Sequence, residues 1–429
     1  MAKPEGNASM SAGPKTAHPS KNPLASTLKG IRVLDFTQIA AGPLCTMLLA
    51  DMGADVVKVE PPGGDIGRTL GPPFIGGESA VFLALNRNKR GLVIDLKTDH
   101  GRRNAEALIA TADVVIESFR PGVADRLGIG YQAAKTRSPN LIYCSISAYG
   151  QEGPWSNKPG VDGVLQAVTG LMSITGSDGE PPSKLQAPVV DMATGYHATI
   201  AVLAALNQRS AGTAPGHIDV NLYASSLMLQ QVPLLGYLTT KELPKRCGSG
   251  APYATPNEAY ATADGHILVA AYQPERWRKF CSAIERPDLN DDARFASLPD
   301  RMANRAPLTK ELNDVLGRRK TQEWMTVLEA AGIICAPVAN YDDVSASPQL
   351  EASGILTKVH HANAGEIILP GFAIGGRAMP IDRPPPRLGE HDDMLAEILA
   401  EVTQRRQASP TPRKDQTRAG TIRVAGRRK

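Results

Sequence analysis

At 429 residues, 42% hydrophobic and 21% charged, the chain has the composition of an ordinary globular protein of two or three domains, which excludes a disordered chain, a collagen and a coiled coil. Its formal charge of +4 misleads, because Arg405–Lys429 holds nine basic residues against the single acid Asp415, leaving the rest of the chain at −4. A mildly acidic body excludes nucleic-acid binding by the fold, and the Pro/Arg/Thr-rich tail reads as disordered.

The longest apolar runs, such as Ile200–Leu206, fall short of the roughly 20 residues needed to cross a bilayer, so no membrane span is expected. The five cysteines are scattered without a C-x-x-C pair, which argues against a disulfide framework and a zinc ribbon. Residues 1–27 are loose in composition and lack the apolar core of a secretory signal, so a reducing cytoplasm is the expected location.

In chain order, Ile31–Phe36 reads as a buried strand, Pro43–Met52 as a helix with proline in its first turn, and Asp55–Glu60 as a second strand. Leu92–Asp95, Asp113–Glu117 and Leu141–Ile146 are further β-branched runs, with a helix at Arg102–Thr111 between two of them. This alternation predicts an α/β layer built on a mostly parallel sheet. A long Ala-rich helix is expected over Val189–Gln208. Short strands at Ala259–Ala261 and Ile267–Ala271, followed by helices at Pro274–Ile284, Pro307–Arg318 and Gln322–Ala331, predict a smaller α+β unit. The proline-rich stretch Ile367–Pro386 reads as an extended strap and Glu390–Val402 as a final helix.

The first strand–helix–strand unit invites a dinucleotide reading, with Glu60 where a ribose-binding acid belongs. Its turn, Gln38-Ile39-Ala40-Ala41-Gly42-Pro43, has one glycine where close approach to a pyrophosphate requires three, which argues against it. No P-loop, H-E-x-x-H or G-x-S-x-G is present, and no histidine lies between His100 and His197. What remains is polar residues after predicted strands: Glu117-Ser118-Phe119-Arg120-Pro121-Gly122, the segment Ser145–Pro154, and Lys158-Pro159-Gly160-Val161-Asp162-Gly163. On local sequence alone, Asp162 reads as a helix N-cap.

LKGIRVLDFTQIAAGPLCTMLLADMGADVVKVEPPGGD, NRNKRGLVIDLK, ADVVIESFRPGVADRLG, LIYCSISAYGQEGP, PGVDGVLQAVTGLMSITG, GHIDVNLYASSLM, AGIICAPV and PPPRLGEH follow in order from Leu28 to Leu399. Together they resemble the family III CoA-transferases. The resemblance implies a large Rossmann-like α/β domain with a mostly parallel sheet built from both chain ends, 28–225 and 340–404. It also implies a linker and small α+β domain at 226–339, between a disordered segment 1–27 and a basic tail 405–429. It implies a homodimer of interlocked rings, and no permanently bound cofactor, with a coenzyme A thioester as substrate and a carboxylic acid as partner.

Matched motif by motif, the resemblance makes Asp162 the nucleophile and assigns CoA contacts to Ala40, Lys97, Phe119, Arg126 and Tyr149. The implied reaction moves CoA from an acyl-CoA to a free carboxylate, a small dicarboxylate on the evidence of Gly170–Gly176, through an aspartyl-CoA thioester. Gly248-Ser249-Gly250 is the counterpart of a glycine-rich loop that folds over the site. Ser118 stands where the family usually has Asn, and Ser147 and Pro61 where the formyl-CoA transferases carry Lys and Arg. The alternative is the 2-methylacyl-CoA racemase branch, which moves an α-proton with a His/Asp pair; here Val161 occupies the place of that histidine.

Overall fold

The computed structural model describes residues 22–374 and 378–400. Six strands form one all-parallel sheet: β1 (Arg32–Phe36), β2 (Asp55–Glu60), β5 (Arg90–Val93), β6 (Val114–Glu117), β7 (Ile142–Ser147) and β8 (His217–Asn221), with β3 (Phe74–Ile75) and β4 (Glu78–Ser79) forming a short hairpin between β2 and β5. The order across the sheet is β5-β2-β1-β6-β7-β8, that of a doubly wound α/β sheet that starts in the middle and grows outward in both directions.

Alternating side chains of each central strand are buried on opposite faces, as a parallel sheet covered on both sides requires. Val33, Val56, Val114 and Ile142 pack beneath the helices Ala41–Asp51 and Val189–Ser210. Leu34, Val57, Val115 and Tyr143 pack against the helix Asp99–Ile109 and against Ile398 of the closing helical segment. Gly195 makes the first layer close: a Cβ there would lie 2.7 Å from the carbonyl oxygen of Ala41. The helix Val189–Ser210 has the length and hydropathy to cross a membrane, which the short apolar runs did not suggest. Here Val190, Ala198, Val202 and Leu206 are buried in the protein core instead.

A second, antiparallel sheet of order β11-β10-β9 joins β9 (Asn257–Ala261), β10 (His266–Ala270) and β11 (Ile334–Pro337). It has its own apolar cluster, in which Trp277, Phe280, Leu312 and Trp324 from the intervening helices cover Ile267 and Val269.

Three expectations need correction. Residues 22–27 belong to the fold, because Leu24 and Ala25 pack on the core and the following Leu28 is buried, donating its N–H to Met52 O at 2.9 Å; residues 1–21 lie outside the described residues, as does the whole basic tail. The start of the expected strap is a strand: β12 (Leu356–His361) and β13 (Gly365–Pro370) form a hairpin that buries Ile367 and Leu369 against Leu83. The final helix begins at 394, and residues 401 and 402 lie outside the described residues. The chain before it seals the open edge of the sheet: His391 donates its N–H to Gly91 O at 3.1 Å, and Val93 donates to Asp392 Oδ1 at 2.7 Å.

Candidate active site

The strand order reverses between β1 and β6, and a crevice opens at the carboxyl ends of neighbouring strands whose connections leave in opposite directions. Two loops form its walls, Thr37–Ala40 after β1 and Ser118–Arg120 after β6. They are tied together where Gln38 donates its N–H to Ser118 Oγ at 3.1 Å. Ile39 takes a left-handed φ of 68°, a strain for a β-branched residue. Asp65 holds it there by accepting the Ile39 N–H at 3.0 Å and the Gly67 N–H at 2.7 Å.

Beneath the first loop lies a buried ionic network. Lys58 and Lys89 are fully buried, with Lys58 Nζ 2.8 Å from Asp65 Oδ2 and Lys89 Nζ 3.0 Å from Asp35 Oδ2. Lys58 also donates to Thr37 O at 2.8 Å, and Lys89 to Pro43 O at 2.9 Å and Asn86 Oδ1 at 2.8 Å. Burial alone would raise the Asp35 carboxyl, but Lys89 and Lys58 outweigh it and hold the group well below the usual carboxylate range. Lys89 is itself pulled down to about 8 by burial, despite Asp35. The loop backbone thus hangs on charges that cannot relax without leaving one of them unpaired.

The crevice is a cleft with two joined lobes. The inner lobe, about 430 Å³, is lined by both loops together with Gly160, Val161, Leu222 and Asp191. The outer lobe, about 390 Å³, shares Phe119, Arg120 and Val161 and adds Ser156, Lys158 and Val164. The helix Ala41–Asp51 starts at the inner lobe with no side-chain cap on its N-terminus, so the N–H groups of Ala41 and Gly42, which precede Pro43, are available to an oxyanion.

Asp162 opens the helix Asp162–Val168 but does not cap it; the N-cap position belongs to Val161. Its carboxylate turns toward the next long helix. Oδ2 accepts the N–H groups of Val190 at 2.8 Å and Asp191 at 3.3 Å, and Oδ1 accepts from Gln166 Nε2 at 2.6 Å. Asp162 is 9% exposed and lines neither lobe. Asp191, two residues into the helix that Asp162 caps, is the carboxylate that does line the inner lobe. Burial, with Asp162 nearby, raises its pKa to about 7. Sequence reasoning missed Asp191 because it lies in the first turn of a helix, not after a strand. Its signal was an acid in the first turn of an otherwise Ala-rich apolar segment.

Of the expected CoA contacts, Ala40 and Phe119 meet in the inner lobe. Phe119 is fixed by its N–H, which donates to Glu117 Oε2 at 2.7 Å, and burial raises the Glu117 carboxyl to about 7. Tyr149 is half-buried in an aromatic cluster with Trp155 and Tyr223, at ring centroid distances of 5.5 and 6.0 Å, and borders Gly160. Arg126 is exposed at the end of the helix Val123–Arg126, with its guanidinium beside Gly122 on the β6 loop. Lys97 is exposed on the turn after β5 and lines neither lobe. Gly248-Ser249-Gly250 is pinned at two points: Gly248 donates its N–H to Gly176 O on a neighbouring loop at 3.0 Å, and Ser249 Oγ accepts from the Ala259 N–H of β9 at 3.0 Å.

The family model of CoA-transferase family III matches residues 28–392. Human succinyl-CoA:glutarate CoA-transferase is 36% identical over 376 residues, 87% of this chain and 86% of that protein. Acetyl-CoA:oxalate CoA-transferase of Acetobacter aceti is 33% identical over 376 residues, 86% of this chain and 95% of that protein. The crystal structure of a CAIB/BAIF family protein from Brucella suis superimposes with a TM-score of 0.78 at 34% identity, covering 88% of this chain and all of that one.

Proposed function

The chain belongs to CoA-transferase family III, and we propose that it moves CoA from an acyl-CoA to a free dicarboxylate, with Asp191 rather than Asp162 as the covalent carrier. The observation that carries this reading is the arrangement of the two aspartates. Asp191 is the acid on the wall of the cleft, whereas both oxygens of Asp162 are held by donors and buried behind it. The acceptor class follows the names of the relatives, one acting with succinyl-CoA and glutarate and the other with acetyl-CoA and oxalate.

In the proposed sequence the Asp191 carboxylate attacks the thioester carbonyl, giving a mixed anhydride and releasing the CoA thiolate. The thiolate attacks the aspartyl carbonyl, forming the aspartyl-CoA thioester and freeing the donor acid. The acceptor carboxylate then attacks that thioester, expelling the thiolate, which attacks the acceptor's acyl carbonyl to give the new acyl-CoA and restore the carboxylate. The uncapped N-terminus of the helix Ala41–Asp51 would receive the oxyanions. Asp162 positions Asp191 by anchoring the backbone of the turn that carries it. Phe119 and Ala40 on the cleft wall, with Tyr149 against Gly160 and Arg126 beside Gly122, would hold the CoA body, whereas Lys97 lines neither lobe.

Treating the enzyme with donor acyl-CoA and hydroxylamine tests the assignment. The expected result is a hydroxamate on the peptide containing Asp191 and none on that containing Asp162; the reverse labelling overturns it. No label on either, with α-proton exchange into solvent, would favour the racemase reading.

We also infer that the working unit is a homodimer in the cytoplasm. The helix Gln231–Thr240 has no buried residue, yet presents Val232, Leu235 and Leu238 at 71, 67 and 56% exposure. An apolar helix of this length needs a packing surface to persist, and a second copy supplies one. Light scattering that reports a monomer at micromolar concentration would refute this.

A further inference from the structure

We propose that Glu117, Ser145 and His217 form a proton relay that positions the Phe119 wall of the cleft and ties its affinity for CoA to pH; this rests on the CoA-transfer reading of the cleft. Three buried carboxylates of the sheet domain face a cation: Asp35 faces Lys89 at 3.0 Å, Asp51 faces Arg87 at 2.5 Å and Glu60 faces Arg68 at 2.7 Å. Glu117 is 3% exposed and makes no ion pair among the described residues. Its partners are neutral donors. Oε2 accepts the Phe119 N–H at 2.7 Å, and the hydroxyl of Ser145, on the adjacent strand β7, donates to the carboxyl. Ser145 Oγ in turn lies 2.8 Å from His217 Nε2 on β8. The His217 residue is exposed, and its ring stacks on Tyr131 at 4.6 Å between centroids. Three neighbouring strands thus carry one hydrogen-bonded line from the surface to the carboxyl that holds the cleft wall.

The line can carry a proton, because each member can both give and take one. With Glu117 ionised, His217 Nε2–H donates to Ser145 Oγ and the Ser145 hydroxyl donates to the carboxylate. A proton taken up from water at His217 Nδ1 sends the Nε2 proton to Ser145 and the serine proton to Glu117. The ring is left as its other neutral tautomer, and each bond of the line is reversed. The net change is one solvent proton moved onto a buried carboxyl. Oε2 then accepts the Phe119 N–H as part of a neutral acid, and a charge-assisted hydrogen bond becomes an ordinary one.

The surroundings place this change near neutrality. Burial, with Asp125 of the helix Val123–Arg126 and Asp219 of β8, raises Glu117 to about 7 against the Ser145 and Phe119 donors. Tyr143 and Cys144 of β7 also feel Glu117; burial pushes both above their usual ranges, so they stay neutral. Burial lowers the His217 imidazole against the pull of Asp219 and Asp125, which keeps the ring neutral while the relay works.

Free CoA is the probe, because it binds without turnover. Its affinity for full-length wild type, Glu117→Gln, Ser145→Ala and His217→Phe is measured by calorimetry across neutral pH. The 3′-phosphate of CoA and Asp191 titrate in the same range but are common to all four proteins, so differences between them isolate the relay. Wild type should bind CoA about three- to tenfold more tightly than Glu117→Gln at pH 8, since glutamine keeps only the neutral acceptor, and the two should converge in acid. At pH 7 wild type should also release more protons on binding than Glu117→Gln does. Ser145→Ala removes a donor to the carboxylate, so the midpoint of its affinity profile should move to higher pH. His217→Phe, which retains an aromatic ring against Tyr131, should move it the same way by less. If Glu117→Gln fails to fold, these two midpoints decide alone. Parallel profiles for wild type and Glu117→Gln, or unmoved midpoints in the other two variants, would overturn the relay while leaving CoA binding intact. No binding of CoA by wild type at any pH would refute the CoA-transfer reading, and this inference with it.

Discussion

The charges under the first loop and the charges in the cleft lie close together and obey opposite rules. Beneath the loop every ion has a counter-ion: Asp35 with Lys89, Asp65 with Lys58, Glu60 with Arg68. Each also meets backbone or amide groups that complete its hydrogen bonding. In the cleft, Arg120 has no partner among the described residues, and Asp191 has a like-charged neighbour in Asp162. The buried network resists change, because removing one member strands another in low dielectric. The cleft charges are held apart from compensation, which is how a protein keeps ions reactive toward a ligand. Building and reacting are thus divided between adjacent groups of similar chemistry.

The division is most severely tested at Asp191. Asp191→Asn should abolish steady-state CoA exchange, to below about a thousandth of wild type, because the amide cannot form the covalent carrier. Asp162→Asn should retain measurable turnover, with a stability loss of about 1–3 kcal/mol from the weakened cap of the helix Val189–Ser210. Equal loss in both variants would erase the proposed difference between carrier and support.

Lys89→Met tests the other side. It leaves Asp35 buried without its counter-ion, for a cost of about 3–5 kcal/mol by chemical denaturation. A variant as stable as wild type would mean that the network is dispensable for stability.

The pH dependence follows from the raised Asp191 carboxyl. Its pKa of about 7 predicts that kcat/KM declines as the pH falls through 7, because the attacking form is the carboxylate. For stability the sign is opposite to that of a paired acid. The folded state holds the proton more tightly than the unfolded chain, so this residue makes folding less favourable as pH rises from about 4 to 7. Asp191→Asn should therefore melt higher than wild type at pH 8, by an amount equivalent to about 1–2 kcal/mol after allowance for its partial exposure to the cleft. The gap should close near pH 4. An Asn variant no more stable at pH 8 would show that Asp191 is not strained in the empty enzyme.

What was readable in the sequence was whatever had strong periodicity. β2 falls at Asp55–Glu60 as expected, and β1 and β6 each begin one residue later than expected, because runs of buried Val and Ile between polar turns admit few alternatives. The edge strand β8, His217–Asn221, escaped because only Ile218 and Val220 of its five residues are apolar and none is fully buried. The hairpin of β12 and β13 was hidden by Pro370 at its end and the proline-rich chain from Pro380 on. The loop segments around Ala40 and Phe119 were found as motifs, and the fold brings them together. Asp191 was not found, since its one local mark, an acid in the first turn of an Ala-rich helix, does not tell that the helix Val189–Ser210 crosses the sheet so as to bring it to the cleft wall. The basic residues of Asn86-Arg87-Asn88-Lys89 look like solvated charge and are in fact buried, at 0, 3, 8 and 0% exposure.

The mildest perturbation of the comparison is Ser118→Ala. Ser118 stands between the two regions, lining the cleft on one side while its Oγ accepts the Gln38 N–H from the loop that the buried ions support. Deleting the hydroxyl removes one neutral hydrogen bond, and water in the open cleft can replace it, so the stability cost should be about 1 kcal/mol or less. The functional effect should be specific. A looser Gln38–Ala40 loop widens the inner lobe without touching Asp191, so KM for acyl-CoA should rise about two- to fivefold while single-turnover acylation at saturation stays near wild type. Ser118→Asn, which offers a longer acceptor to the same N–H, should recover the KM. If Ser118→Ala instead slows acylation and leaves KM unchanged, the hydroxyl acts on the reacting groups, and the cleft and its support are less separate than their charges make them.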